Sequence, residues 1–360
     1  MALTKVDTSM VESSGAFGRR NILINGDFGI YQRAQQVTGL AGSENYFTAD
    51  RWVLNGNLSS GRLTMTAGTE AAPPESNVTT SLKLDCTTAD TSLGAGEALT
   101  IQQRVEGYNL QHVKKGTSGA KELTASFWVK SETGTFTYVL ELYDADNTRQ
   151  VSKSFSVTSS WSKVELTFPA DTTGAFGNDA NTSLYFQIYL ASGTNLTSGT
   201  LNQTWNSITN ANRAVGVSNF VSSTSNEFYI TAVQLEVGDA ATEFEILTRG
   251  EMGKLCERYF IKLTQPHMSG IAVGTSNSNI GRMGTALPTS MRGAPTCALS
   301  AGINVYQGTN TGTTTGVQAQ YNTEHAIEFD FTSNMTNDEA GRACISYQGG
   351  SSTVSVDAEL

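Results

Sequence analysis

The chain has 360 residues and a net charge of −10, with only 16% of its residues charged and 35 glycines. That length suits two domains, and the negative charge opposes binding to phosphate backbones. No basic run is longer than a pair such as Lys114 and Lys115, so nucleic acid is not an expected partner, and no stretch approaches the roughly 20 apolar residues of a membrane span.

The start, MALTKVDTSMVESSG, lacks the apolar centre of a signal peptide, and residues 1–20 offer no apolar face that could join a core. They read as an N-terminal arm. In NILINGDFGIYQR the run Ile22, Leu23, Ile24 is broken by the turn signal Asn25-Gly26-Asp27, which predicts the opening strand of the first domain. A second strand-like run covers 46–54 and carries Trp52, and 55–80 reads as loop. From there strand signals recur at the spacing of a β-sandwich, over 81–86, 98–104, 121–130, 135–143, 149–157, 161–168, 184–190 and 227–237.

Several of these segments are apolar on one face only. In 121–130 that face is Leu123, Ala125, Phe127 and Val129, which leaves Thr124, Ser126, Trp128 and Lys130 outside. In 184–190 it is Leu184, Phe186, Ile188 and Leu190, which leaves Tyr185, Gln187 and Tyr189. In 135–143 Tyr143 stands opposite Phe136, Tyr138, Leu140 and Leu142, and in 227–237 the alternation puts Tyr229, Val233, Leu235 and Val237 opposite Gln234 and Glu236.

The stretch 228–260 closes one domain and opens the next. After the strand, Thr248 and Glu251 have capping-box spacing, and Met252, Leu255, Cys256 and Tyr259 form one stripe of a short amphipathic helix. Short strands and turns return after it, in TALPTSMRGAPTCALS, GVQAQY, AIEFDF, ACISYQ and TVSVDAEL. The expected organisation is therefore an arm at 1–20, a β-sandwich at 21–247, and a helix with a smaller C-terminal β domain at 248–360. Cys86, Cys256, Cys297 and Cys344 are far apart with no paired spacing, which predicts free and mostly buried thiols.

These segments resemble the tail fibre and appendage proteins of tailed bacteriophages that carry a carbohydrate-binding-module-like jelly roll. ALTKVDTSMV is similar to their virion-attachment arms. NILINGDFGIYQR with YFTADRW looks like the opening of the jelly roll, LTASFWVKSETGTF like its middle, and FYITAVQLEVGDAATEFE with EMGKLCERYF like its end and following helix. SMRGAPT and VDAEL look like parts of the appended C-terminal domain. The resemblance implies an all-β jelly roll in a homotrimeric structural protein of the virion surface, assembled in the host cytoplasm. It would be held to another virion protein by residues 1–20, and would be either a glycan-contacting fibre or a purely architectural part. In related jelly rolls a calcium ion ties the opening strand to the closing one. Asp27 and Glu236 occupy the matching segments, with Asp50 and Asp239 as further carboxylates.

The residues themselves offer one constellation suited to sugars, the aromatic set Trp128, Tyr143, Tyr185 and Tyr189 on polar strand faces. A pyranose packs its C–H groups on a π-surface, and Gln187, Ser126 and Lys130 could bond its hydroxyls. The same side chains would equally pack under loops, against the C-terminal domain or against other subunits, while Trp52, Trp161 and Trp205 are weaker candidates. The stripe Met252, Leu255, Cys256 and Tyr259 is the candidate for packing between subunits. Catalysis is not expected. Asp144 and Asp146 are two apart in a turn-like YDADNT, and no histidine or serine stands in a hydrolase motif.

Overall fold

The computed structural model describes residues 19–264, 268–272, 280–299, 304–307, 310–319, 322–333, 343–346 and 353–360. The chain divides into two compact units, one running to Met252 and including Leu360, the other spanning Gly253–Glu359. Nearly all of the expected arm lies outside the described residues.

The first unit carries strands β1 (Gln36–Leu40), β2 (Val53–Gly56), β3 (Arg62–Ala71), β4 (Thr80–Thr88), β5 (Ala98–Glu106), β6 (Leu123–Ser131), β7 (Phe136–Asp144), β8 (Arg149–Val157), β9 (Ser162–Phe168), β10 (Thr182–Ser192), β11 (Asn206–Ser207) and β12 (Glu227–Val237). They form two six-stranded sheets, one ordered β1-β3-β4-β12-β6-β9 and the other β11-β8-β7-β10-β5-β2. From β4 onward the chain passes back and forth between the sheets, which is the winding of a jelly-roll β-sandwich. Between the sheets lies one apolar core. Leu123, Ala125, Phe127 and Val129 of β6 face into it, as do Tyr138, Leu140 and Leu142 of β7 and Leu184, Phe186, Ile188 and Leu190 of β10. All eight strands expected from 81 to 237 are present.

Three expectations about this unit are corrected. The opening segment pairs with β12 through Ile22 N–H to Leu235 O and Val233 N–H to Gly26 O, yet forms no strand. Asn25 and Phe28 adopt positive φ, 58° and 55°, and the Asn25 side chain takes over the backbone pairing. It donates to Ile30 O and Asp50 O and accepts from Ile30 N–H, while Trp52 Nε1–H donates to the Asn25 carbonyl. Gly26 is required because a Cβ there would stand 2.1 Å from Val233 O. Trp52 is core, its ring 5.0 Å from that of Phe28. Secondly, β1 and β3 occupy stretches whose polar composition hid them.

The third correction concerns β12. Its register against β6 slips between Thr231 and Gln234, and Ala232 within the slip has φ of 50°. This is a β-bulge, which inverts the alternation. Phe228 and Ile230 face the core before it, Val233 and Leu235 after it, so Tyr229 points outward beside Lys130.

Of the helices, α1 (Thr194–Thr197) is a single turn on the segment after β10, and α2 (Arg249–Glu257) begins with the expected capping box. Thr248 Oγ1 donates to Glu251 Oε2 at 2.7 Å, and Glu251 N–H donates back to Thr248 Oγ1 at 3.3 Å.

The second unit is also antiparallel β. It contains β13 (Phe260–Thr264), β14 (Ser269–Ala272), β15 (Ile280–Ala286), β16 (Thr296–Leu299), β17 (Asn304–Gln307), β18 (Asn310–Ala319), β19 (Ala326–Ser333), β20 (Ala343–Ser346) and β21 (Thr353–Asp357). Six of these close into the barrel β14-β15-β19-β18-β17-β20, and the others form the sheet β13-β21-β16. Its core gathers Met268, Met283, Met291, Phe329, Phe331, Val354 and Val356.

Cys86 and Cys256 are buried and Cys297 is half-buried, and none of the three is in a disulfide among the described residues. The Cys344 side chain lies outside the described residues. Within the helix stripe, Met252, Cys256 and Tyr259 are buried in the single chain, and Met252 Sδ accepts from Asn25 N–H. Most of that stripe is therefore spent on intrachain packing. Of the stripe, Leu255 is half-exposed.

Candidate functional site

The expected aromatic set does not come together. Trp128, Ser126 and Lys130 lie on the outer face of one sheet, whereas Tyr143, Tyr185, Gln187 and Tyr189 lie on the outer face of the other, across the thickness of the sandwich. The two faces have different characters.

On the second sheet, cross-strand register builds two rows of side chains. One row is Arg104, Tyr185, Tyr143 and Gln150, and the next is Gln102, Gln187, Glu141 and Ser152. Glu141 is fully buried and gathers its neighbours. Arg213 grips it from the segment after β10, Nε at 3.0 Å from Oε1 and a terminal nitrogen at 2.7 Å from Oε2. Gln187 Nε2 and the Tyr189 hydroxyl also donate to Glu141 Oε2.

Burial alone would lower the Arg213 pKa, but the Glu141 carboxylate more than offsets it and holds the guanidinium charged. Burial, with Glu141 adding to it, drives the Tyr189 phenol well above its ordinary range. Leu196, Leu201, Ala214 and Val217 close over Val139 and Tyr189. Tyr143 and Tyr185 stay half-buried, but the Arg213 guanidinium sits 5.3 Å from the Tyr143 ring centre and that of Arg104 sits 5.1 Å from Tyr185. Stacked guanidinium groups hold the rings that a sugar would need. Gln187 and Tyr189 are thus sealed under the chain's own loop, and this face is a buried polar layer.

The outer face of the first sheet is open at Trp128. A cavity of about 180 Å³ lies there, lined by Glu75, Ser76, Asn77, Ser126, Trp128, Lys163, Ala232, Glu243 and Phe244. Each wall has a local cause. Ser126 and Trp128 alternate outward on β6, and the bulge at Ala232 widens the gap beside them. Asn77 caps the turn Pro74–Ser76 in the left-handed region, with φ of 59°.

Phe244 is delivered by a segment tied back across β12. Thr242 N–H and its hydroxyl donate to the Glu236 carboxylate at 2.8 and 2.7 Å, and Glu245 N–H donates to Gln234 Oε1 at 2.8 Å. Ser126 is 3% exposed and its hydroxyl has no hydrogen-bond partner among the described residues; the Trp128 indole N–H has none either. Lys163 is paired with Glu165 at 2.6 Å, while the carboxylates of Glu75 and Glu243 make no ion pair among the described residues. An indole face, a phenyl ring and unpaired hydroxyl, amide and carboxylate groups around a small cavity can hold a ring that is apolar on its faces and hydroxylated on its rim. Lys130 is not part of it, lying instead 5.0 Å from the ring centre of Tyr229 and 3.3 Å from Glu132.

The calcium candidates are not brought together. Glu236 is engaged by Thr242 and Gln234, Asp50 by Gln32, and Asp27 turns back toward Gly29 N–H. Among the described residues no group of three or more histidine, cysteine or acidic side chains converges on a point. Asp144 is likewise not in a solvated turn: it is buried, and its Oδ2 accepts from Lys115 Nζ at 2.6 Å. Of the cavity residues, sequence reasoning reached Trp128 and Ser126. Glu75, Asn77, Lys163, Ala232, Glu243 and Phe244 sit in turns, on an edge strand or in the bulge, and only Asn77, in a Pro-rich turn, carried any local signal.

No protein-family model matches the chain, and no curated protein matches it. Solved structures similar to it include the enzymatically active domain of tailspike protein 4 of bacteriophage CBA120, 12% identical over 61% of this chain and 21% of that one, with a TM-score of 0.29. The module TmCBM61 in complex with β-1,4-galactotriose is 12% identical over 61% of this chain and 100% of that one, with a TM-score of 0.30. The family 11 carbohydrate-binding module of a Clostridium thermocellum cellulase is 11% identical over 56% of this chain and 95% of that one, with a TM-score of 0.28. At these TM-scores the likenesses carry no argument about ligand or role. The chain spans about a fifth of the tailspike it matches.

Proposed function

We propose that the protein is a non-catalytic virion component of a tailed phage, a tail fibre or receptor-binding protein whose jelly roll contacts host-surface glycans at the Trp128 cavity. The observation that carries the glycan reading is this open cavity, where an indole and a phenyl ring stand beside the Ser126 and Asn77 side chains. The phage assignment rests on the sequence resemblance of ALTKVDTSMV, NILINGDFGIYQR and EMGKLCERYF to fibre proteins. In this reading residues 1–20 dock to another virion protein, copies associate as a homotrimer, and the assembled protein is displayed on the particle surface.

A second reading, a purely architectural virion part, is favoured by one observation. The face holding Tyr143, Tyr185, Gln187 and Tyr189 is filled by its own Arg104, Arg213 and covering loop. The two readings separate in a binding experiment with the full-length oligomer on host cells and an array of bacterial surface glycans. Saturable binding that weakens at least about tenfold, or ~1.4 kcal/mol, in Trp128→Ala supports the glycan reading. No binding by either favours the architectural one, and equal binding by wild type and variant places the glycan contact away from Trp128.

A further inference from the structure

We infer that the Trp128 cavity takes one uncharged pyranose at the free end of a glycan and discriminates against anionic sugars. The inference rests on the glycan reading above and concerns which sugar that site accepts.

Size sets the first limit. At about 180 Å³ the cavity falls below the roughly 300 Å³ at which pockets for drug-sized ligands begin, so it has room for a single ring and not for a run of them. A chain entering it must present its end. Geometry sets the second. Trp128 and Phe244 supply the apolar contacts, while Ser126, Asn77 and the indole N–H supply neutral hydrogen-bonding groups that the protein itself leaves unused. A sugar ring hydroxyl both donates and accepts, so it can bond any of these groups.

Charge sets the third. The lining carries two carboxylates, Glu75 and Glu243, and one cation, Lys163, which Glu165 already pairs. The cavity therefore presents net negative charge. A sugar carboxylate or phosphate entering it meets two carboxylates against the one lysine, which Glu165 shares, whereas neutral hydroxyls can donate to the same carboxylates. Charge rejection of this kind gives specificity that shape alone does not.

The test uses the full chain and matched pairs of immobilised oligosaccharides, identical except that the terminal residue is a neutral hexose or the corresponding uronic acid. Trp128→Ala and the double variant Glu75→Gln/Glu243→Gln are compared with wild type, and Tyr185→Phe on the opposite face serves as control. The expected result is Trp128-dependent binding of the neutral-ended chain, at least about tenfold weaker binding of its anionic partner, and narrowing of that gap in the double variant. Trp128-dependent binding that ignores the terminal charge, prefers the anionic end, or accepts chains blocked at both ends would overturn the inference while leaving the glycan reading intact. Absence of any Trp128-dependent glycan binding would overturn both.

Discussion

Lys115 is the residue whose replacement should damage the sandwich most for the fewest atoms changed. Its side chain is 2% exposed, and its Nζ lies 2.6 Å from Asp144 Oδ2 and 3.0 Å from Asp171 Oδ2. It also donates to the carbonyls of Thr173 and Gly174 at 2.9 and 2.8 Å, which pins the loop before β10 to the end of β7. Lys115→Met keeps the apolar stem and removes the charge. The consequences for the two carboxylates differ. For Asp171, burial would raise the pKa, but Arg149 and Lys115 hold it below the usual carboxylate range, and Arg149 remains in the variant at 2.8 and 3.0 Å. Asp144, which is fully buried, keeps only the amide donors of Asn147. One buried carboxylate is thus left without a cation, and breaking such a pair costs about 3–5 kcal/mol. In a domain of this size each kcal/mol moves the melting temperature by roughly 2–4 °C, so the drop should be about 6–20 °C, read by near-UV circular dichroism. Lys115→Met/Asp144→Asn removes the stranded charge and should recover most of the loss. A single variant melting within about 2 °C of wild type, or a double variant no better than the single, would refute the assignment of the cost to the buried carboxylate.

Asn25→Ala should cost at least about 3 kcal/mol in denaturant unfolding, because it removes three buried hydrogen bonds and places alanine at a φ that asparagine tolerates better. Thr242→Val strips a donor from Glu236 and loosens the segment that carries Phe244; titration calorimetry should show glycan affinity falling about threefold to tenfold while the fold persists. The Cys86 thiol is pushed up to about 11 by burial and then by Asp85, so Cys86 in the native protein should resist an aromatic disulfide reagent at pH 8 and react on unfolding. Because its folded pKa lies above the ordinary thiol value of 9.0, the associated stability is complete below that pH and is lost as the pH rises toward 11.

Eight strands of the sandwich were legible because period-2 burial writes itself directly into residue order, as in Leu123, Ala125, Phe127 and Val129. The capping box of Thr248 and Glu251 was legible for the same reason, since its partners are three residues apart. The opening segment was misread as a strand because its apolar residues are buried by a loop whose backbone bonds run to side chains, above all that of Asn25. The outward turn of Tyr229 was missed because a bulge shifts phase without changing composition.

What the sequence by itself determined is the all-β class and which residues of each regular strand face the core. Both depend on interactions between neighbours along the chain. The tertiary structure alone decided which outward faces stay open. Tyr143 and Tyr185 stay half-buried, but their free ring faces are taken by Arg213 and Arg104, which lie 70 and 81 residues away in sequence. Trp128 kept its own because a bulge in β12, a turn before β4 and the segment at 242–245 leave space around it. Openness is a property of what packs against a face, and those groups come from parts of the chain that no local pattern connects.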